Sequence, residues 1–304
     1  MVELERLYAE YRPLLFSLAY RLLGSVSDAE DMVQDTFVAA HAHTSGLAEE
    51  GSRIENWKAY LCRAVTNRCF DLLKSARRKR ERYVGPWLPE PIVHSLESAA
   101  SGEGGLDDPL EATLLGETMS YAFVVLLSRL TPLERAVFVL REAFGFSYRE
   151  IAVMIGKTEL GCRQTHSRVR RKIQAEPSAM PEAAAEADSL MKKFLQAAAT
   201  GDIQELISAL TEDAMLVTDG GGKLRAALNP IVGRKRIAAF LSGLAAKMSE
   251  QTEARAILVN GALGLLLLAP DGPTVVSIES DGNGRCSRIY MVRNPDKLST
   301  LRGV

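Results

Sequence analysis

The sequence predicts a multidomain chain in which two all-α units are followed by an α+β domain. Apolar residues recur at spacings of three and four through residues 4–82 and again through 114–173, the period of helices with one buried face. Between them lies a stretch rich in Pro, Gly and Ser, and beyond Pro181 short β-favouring runs are punctuated by Asp-Gly turn signals. At 304 residues, 47% apolar and 25% charged, the composition is that of a globular protein and excludes collagenous, disulfide-scaffold and wholly disordered chains. A prior of about 150 residues per domain gives two or three domains. The expected boundaries are 1–84 and 114–175 for the helical units, 85–113 for the linker between them, and 176–304 for the last domain.

In the first unit, Leu4, Leu7, Tyr8, Tyr11, Leu14, Leu15, Leu18 and Leu22 mark one helical face, with Pro13 predicting a break or a kink and Gly24 an end. Ser27 and Glu30 form a capping-box pattern for a helix running to about His41. A polar loop, His43 to Asn56, leads into a long helix to Arg82 whose apolar side holds Trp57, Tyr60, Leu61, Ala64, Val65, Leu72 and Leu73. In the second unit, helices are expected over Leu114–Leu130, after the Thr131-Pro132-Leu133-Glu134 cap, after the Ser147-Tyr148-Arg149-Glu150 cap, and over Glu159–Ile173. Gly156-Lys157-Thr158 joins the last two as a helix-turn-helix. The final domain reads as helices over Glu182–Ala199, Ile203–Leu210 and Arg234–Met248. Its strands read as Ala214–Thr218, Leu224–Leu228, Arg255–Leu268, Thr274–Glu279 and Ser287–Arg293.

Charge is segregated. Residues 87–116 carry six acidic groups and no Lys or Arg, whereas residues 117–175 carry ten basic and five acidic groups. Such a division predicts a polyanionic partner for part of the chain. The apolar stretch Ile257–Ala269 is too short and too interrupted to span a bilayer, and the start, Met1-Val2-Glu3-Leu4-Glu5-Arg6, lacks the basic and apolar pattern of a signal peptide. A cytoplasmic protein without a membrane association is expected. Cys62, Cys69, Cys162 and Cys286 show no zinc-ligand spacing, so they read as core thiols, and no metal, cofactor or catalytic residue is expected.

The second helix of the helix-turn-helix turns Arg163, Gln164, Ser167 and Arg168 away from its apolar side. Arg pairs bidentately with guanine and Gln with adenine, and Ser donates to base edges or phosphate. Arg170, Arg171 and Lys172 suit phosphate neutralisation. His166 reads as a partly buried core histidine. In the first unit, Asn56, Trp57, Arg63, Asn67, Arg68, Lys74, Arg77 and Arg78 combine cations with aromatics, the chemistry that holds opened nucleic acid by stacking and charge. Asp31, Gln34 and Asp35 share a face of the preceding helix, as a solvated surface or a docking site for a basic partner.

Residues 1–175 resemble the extracytoplasmic-function (group 4) sigma factors of bacterial RNA polymerase. The resemblance rests on Tyr11-Arg12-Pro13, Asp28-Ala29-Glu30-Asp31-Met32-Val33-Gln34-Asp35-Thr36-Phe37, Trp57-Lys58-Ala59-Tyr60-Leu61 through Asn67-Arg68 and Asp71, Leu130-Thr131-Pro132-Leu133-Glu134-Arg135, and Tyr148-Arg149-Glu150-Ile151-Ala152, in family order. It implies a region 2 domain whose Asp31, Gln34 and Asp35 dock on the core polymerase. It further implies that the loop and long helix hold the minus-ten promoter element and that the helix at 159–173 reads the minus-thirty-five element. His166 and Ser167 depart from the bulkier residues the family pattern leads one to expect.

Three further motifs resemble those of the sigma-J-like subgroup: Trp87-Leu88-Pro89-Glu90-Pro91, Asp219-Gly220-Gly221-Gly222-Lys223 and Asn294-Pro295-Asp296-Lys297-Leu298. This resemblance implies that 176–304 is a SnoaL-like extension of the NTF2-like fold that regulates the sigma factor in cis. Trp87, Pro89, Pro91, Asp219, Gly221, Lys223, Asn294, Pro295 and Asp296 are the expected regulatory residues. The alternative is a small-molecule sensor, or a cyclase- or isomerase-like enzyme, fused to a DNA-binding module. Asp213 and Asp219 are the candidate bases for it, every histidine lies outside the domain, and Asp219 beside three glycines reads better as hairpin chemistry.

Overall fold

The computed structural model describes residues 2–44, 54, 56–80, 83–96, 120–174, 184–200, 202–247, 251–299 and 301. The acidic stretch at 97–119 and most of the polar loop before the long helix lie outside the described residues. The chain divides into two compact units: Met1–Lys79 with Leu126–Ala175, and Arg80–Val125 with Glu176–Val304.

The first unit is helical. Helices α1 (Val2–Leu23) and α2 (Val26–Thr44) pack as an antiparallel pair, followed by α3 (Trp57–Arg80). α1 runs through Pro13 without the expected break, since burial of Leu7 on one side of it and of Leu15, Leu18, Leu22 on the other outweighs one missing backbone hydrogen bond. Gly24 ends the helix at φ 68°, its N–H donating to the Tyr20 carbonyl. The cap of α2 is Ser25, whose Oγ accepts from the Asp28 N–H, and not Ser27 as the capping-box pattern suggested.

Helix α4 (Tyr121–Ser128) begins in the second unit's residues and ends in the first's. α5 (Pro132–Glu142), α6 (Tyr148–Ile155) and α7 (Glu159–Gln174) complete the first unit. Both predicted capping boxes form: Thr131 with Glu134, and Ser147 with Glu150. Gly156 closes α6 in the left-handed conformation that its lack of a Cβ permits. α5 packs against α1, and the Arg135 guanidinium, 2% exposed, donates to the Leu22 carbonyl at the end of that helix. A C-terminal carbonyl of α1 is therefore satisfied from α5.

Glu134 links this framework to α7, because its carboxylate takes a 2.6 Å bond from Lys172 while completing the Thr131 cap. The Lys172 bond, followed by the Thr131 donors, holds the Glu134 carboxyl below its ordinary value. A folded-state value below the unfolded one stabilises above the unfolded pKa, about 4.3, and the benefit fades as pH falls through the folded value. Acid titration of helix content is therefore expected to show a loss below about pH 4.5 that Glu134→Gln reduces. Thr131→Ala is expected to cost about 1 kcal/mol at neutral pH by circular-dichroism melting.

The second unit is a seven-stranded sheet in the order β1-β4-β5-β6-β7-β2-β3. The strands are β1 (Val93–Ser95), β2 (Leu210–Asp219), β3 (Ile231–Val232), β4 (Glu253–Val259), β5 (Ala262–Ala269), β6 (Gly272–Ser280) and β7 (Cys286–Val292). All neighbours are antiparallel except β2 and β7. Helices α8 (Ala184–Thr200), α9 (Gln204–Ala209) and α10 (Arg234–Ala245) accompany it.

Side chains alternate between the two faces through the centre of this sheet. Leu216, Leu265, Leu267, Val276, Ile278, Ile289 and Met291 pack with α8 and α10 residues such as Met191, Phe194, Ile237 and Leu241. Val217, Leu266, Val275, Tyr290 and Val292 form a second core with Leu88, Tyr121, Val125 and Leu298. Coverage of both faces explains why β5 carries four successive leucines, the first three buried and Leu268 half-buried. Two predicted strands differ. The run Arg255–Leu268 is a hairpin, because Asn260 (φ 51°) and Gly261 (φ 80°) adopt the positive dihedrals of a two-residue turn. Leu224–Leu228 is not a strand; Ala227 instead exchanges hydrogen bonds with the Thr218 hydroxyl.

Residues 83–96 are folded onto this unit. Val93–Ser95 pair with β4, and Ile92 is tied through its N–H and carbonyl to Asn260. All four cysteines are buried free thiols, and burial pushes Cys62 and Cys286 up to about 12. Among the described residues no helix is long and apolar enough to cross a membrane.

Candidate nucleic-acid interface

α7 starts at Thr158, whose Oγ1 accepts from the Gly161 N–H. Its buried side is Cys162, Thr165, His166, Val169 and Ile173, packed against α5 and α6. Arg163, Gln164, Ser167, Arg168, Arg170 and Arg171 are exposed, and all but Arg170 line one open depression. Arg163 is preordered: its guanidinium lies 2.9 Å from Glu159 and 5.2 Å from the Tyr148 ring centre. Lys172 is engaged by Glu134 of α5 at 2.6 Å.

His166 sits 6% exposed within α7. Its Nε2 is 2.7 Å from Glu142 and its Nδ1 3.0 Å from the Tyr148 hydroxyl. A carboxylate only accepts, so Nε2 donates to Glu142, while Nδ1 shares a hydrogen bond with the Tyr148 hydroxyl. The histidine thus fastens α7 to both preceding helices, a structural role its placement near the packed side suggested.

In the first module the expected residues divide. Asn56 caps α3, its Oδ1 accepting from the Ala59 N–H at 2.9 Å. Trp57 and Tyr60 are partly exposed and meet edge to face, with ring centres 5.8 Å apart. Arg63, Asn67 and Lys74 are exposed, Lys74 beside Asp71, while Arg68 is half-buried and bonds the Ala64 carbonyl. Arg77 and Arg78 belong to α3, but their side chains lie outside the described residues. On α2, Asp31, Gln34 and Asp35 are all exposed at helical spacing, and Val38, 69% exposed, extends the same stripe.

The second unit brings most of the expected regulatory residues to one hub. Asp219, 1% exposed, accepts from the Tyr83 hydroxyl (2.6 Å), the Leu88 N–H (2.9 Å), the Gly221 N–H (3.0 Å) and Lys297 Nζ (2.7 Å). Lys297 also donates to the Leu88 carbonyl and lies 4.2 Å from the centre of the Trp87 ring. Asn294 donates to the Tyr83 oxygen at 2.8 Å and accepts from the Asp296 N–H, while Lys223 pairs with Asp296 at 2.6 Å. Gly221 is at φ 62°, and a Cβ there would meet the Asn294 side chain at 2.4 Å, so glycine is demanded twice over. Pro89 and Pro91 are buried beside the hub and the Pro89 carbonyl accepts from Tyr121, whereas Pro295 is exposed.

Asp219 therefore does more than shape a turn; its carboxylate joins 83–88, the glycine turn and Lys297. Sequence reading missed Tyr83 and did not single out Lys297 within its motif. Burial, then the Asp219 bond, pushes the Tyr83 phenol above its ordinary value, which keeps it a donor.

Two family models match: Sigma-70 region 2 over residues 7–79, and Sigma-70, region 4 over residues 121–173. The chain is 31% identical over 301 residues to the ECF RNA polymerase sigma factor SigJ of Mycobacterium tuberculosis, covering 95% of this chain and 91% of that protein. The chain belongs to the ECF RNA polymerase sigma factors. A crystal structure of that SigJ matches with a TM-score of 0.72 at 28% identity, covering 96% of this chain and 97% of the other. The probable ECF sigma factor SigI of the same species is 33% identical over 202 residues, 66% of this chain and 64% of SigI. This sigma factor is accordingly a transcription initiation factor that binds RNA polymerase core and promoter DNA, not an enzyme. Its two helical domains are followed by a sheet-containing C-terminal domain with the architecture described above.

Proposed function

We propose that α7 enters the major groove of the minus-thirty-five element, with Arg163, Gln164, Ser167 and Arg168 at base edges and Arg170 and Arg171 at phosphates. The observation that carries this reading is the exposed polar stripe on a helix whose opposite side is locked to α5 and α6. α3 and the segment before it hold the opened minus-ten element through Asn56, Trp57, Arg63, Asn67, Arg68, Lys74, Arg77 and Arg78, and Asp31, Gln34 and Asp35 dock on the polymerase. Exposure of Arg63, Asn67 and the α2 stripe supports these roles; the capping task of Asn56 leaves its side chain less free for a base. The protein acts in the cytoplasm, where its polymerase partner works. Promoter-selection sequencing with core enzyme tests the assignment, and selection unchanged by Arg163→Ala with Gln164→Ala would overturn it.

The C-terminal domain, read as SnoaL-like, regulates in cis by holding the segment after α3. Support comes from the hub formed by Tyr83, Trp87 and Leu88 with Asp219, Asn294 and Lys297, a set that includes most of the expected regulatory residues. A small-molecule ligand of this domain is the second reading, favoured by the buried polar group of Glu279, Arg288 and Tyr290 within the sheet. Thermal-shift measurements with candidate metabolites separate a sensor from control by contact alone.

A further inference from the structure

Leu160 is the second residue of α7 and is 65% exposed. At 3.6 residues per turn it falls within about 20° of Ser167 and Arg171 around the axis, on the midline between Arg163 and Arg168. It stands diametrically opposite the buried Cys162–Val169 seam. A leucine scattered singly on a surface requires no explanation. This one occupies the centre of the stripe assigned to the groove, at the helix end whose residues approach base edges in helix-turn-helix proteins.

The polar neighbours can satisfy hydrogen-bonding groups on bases, but Leu160 offers none. The one apolar group that bases present in the major groove is the C5-methyl of thymine. We propose that Leu160 is a specificity-determining residue that packs on a thymine methyl in the minus-thirty-five element. Along the axis it lies about 6 Å from Gln164 and about 10 Å from Ser167, at 1.5 Å per residue. The thymine is therefore next to the base pairs read by Arg163 and Gln164, on the side away from Ser167. The apolar contact supplies discrimination without a hydrogen bond, and the neighbouring arginines supply the affinity.

The proposal rests on the reading of α7 as the promoter-reading helix, and the experiment separates the two. Holoenzyme containing the full chain is used for promoter selection, with wild type, Leu160→Ala and Arg163→Ala compared. The selected promoter is then resynthesised with deoxyuridine replacing each thymine in turn, which removes only the methyl. At one thymine, wild-type holoenzyme is expected to bind roughly four-fold more weakly after the replacement, the value of one buried methyl-sized group. Leu160→Ala is expected to bind the two promoters equally and to lose the thymine preference at that position alone. Alanine is the best helix former and the site is exposed, so the variant folds. If no thymine shows this coupling while Arg163→Ala still abolishes selection, the Leu160 contact is refuted and the groove assignment stands. If the paired replacement of Arg163→Ala with Gln164→Ala leaves selection unchanged, both fall.

Discussion

Replacing Asp219 by alanine is expected to destabilise the C-terminal unit by about 3–5 kcal/mol, the cost of breaking a buried ion pair from one side. The Asp219 side chain is fully buried and that of Lys297 is 11% exposed, so the variant takes the carboxylate away from an ammonium that also meets the Leu88 carbonyl and two aromatic faces. A change of that size in a domain of about 150 residues lowers the melting temperature by roughly 10 °C. Lys297→Met is expected to cost less, since Asp219 keeps its donors from Tyr83, Leu88 and Gly221. A double variant, Asp219→Leu with Lys297→Met, should recover part of the loss, as apolar replacement of whole buried pairs often does.

The same substitution tests regulation. With Asp219 gone, Tyr83 and the Leu88 amide lose their acceptor, and residues 83–88 lose much of what holds them to the sheet. Cleavage of native protein by a protease near residues 83–96 should accelerate, and run-off transcription with core polymerase should shift by the same factor as truncation after residue 293, which removes Asn294 and Lys297. A protein that melts earlier yet transcribes identically would reduce the hub to a stability element.

Local rules carried the sequence reading of the helical unit, and their limits are visible in particular residues. Thr131, Ser147 and Gly156 were legible because a cap or a left-handed turn is written within four residues. The break at Pro13 and the cap at Ser27 failed for the complementary reason: packing of α1 overrode a local penalty, and Ser25 offered an equally local cap two residues earlier in the chain. The strand hairpin at Asn260-Gly261 was concealed by apolar residues on both sides, which a doubly covered sheet requires. Least legible was the fate of residues 83–96. Their prolines and glycine read as linker chemistry, yet Leu88, Pro89, Glu90 and Pro91 are buried. Asp219 and Lys297, which bond the Leu88 backbone, are more than 130 positions away from it, and no periodicity encodes such a contact. At α7 the outcome is the reverse, since one period of 3.6 residues assigns its side chains to their faces.

That assignment gives the second large effect. Arg163→Ala is expected to weaken specific promoter binding by about 1–3 kcal/mol, a factor of roughly 5 to 150, if its fork reads a guanine. Because Arg163 rests against Glu159 and over Tyr148 in the free protein, binding must exchange an exposed ion pair for the base contact. Such a pair is worth about 0.2–1 kcal/mol, so Glu159→Gln should tighten promoter binding by up to a few-fold. Arg170→Ala and Arg171→Ala should behave differently: each weakens binding to all sequences and reduces the slope of log affinity against log salt by about 0.9. Holoenzyme binding to matched and mismatched promoters across a salt series distinguishes the classes. Were Arg163→Ala to alter only the salt slope, leaving the ratio of matched to mismatched binding intact, its guanidinium would belong at the phosphates and the base-reading edge of α7 would have to be redrawn around Gln164 and Leu160.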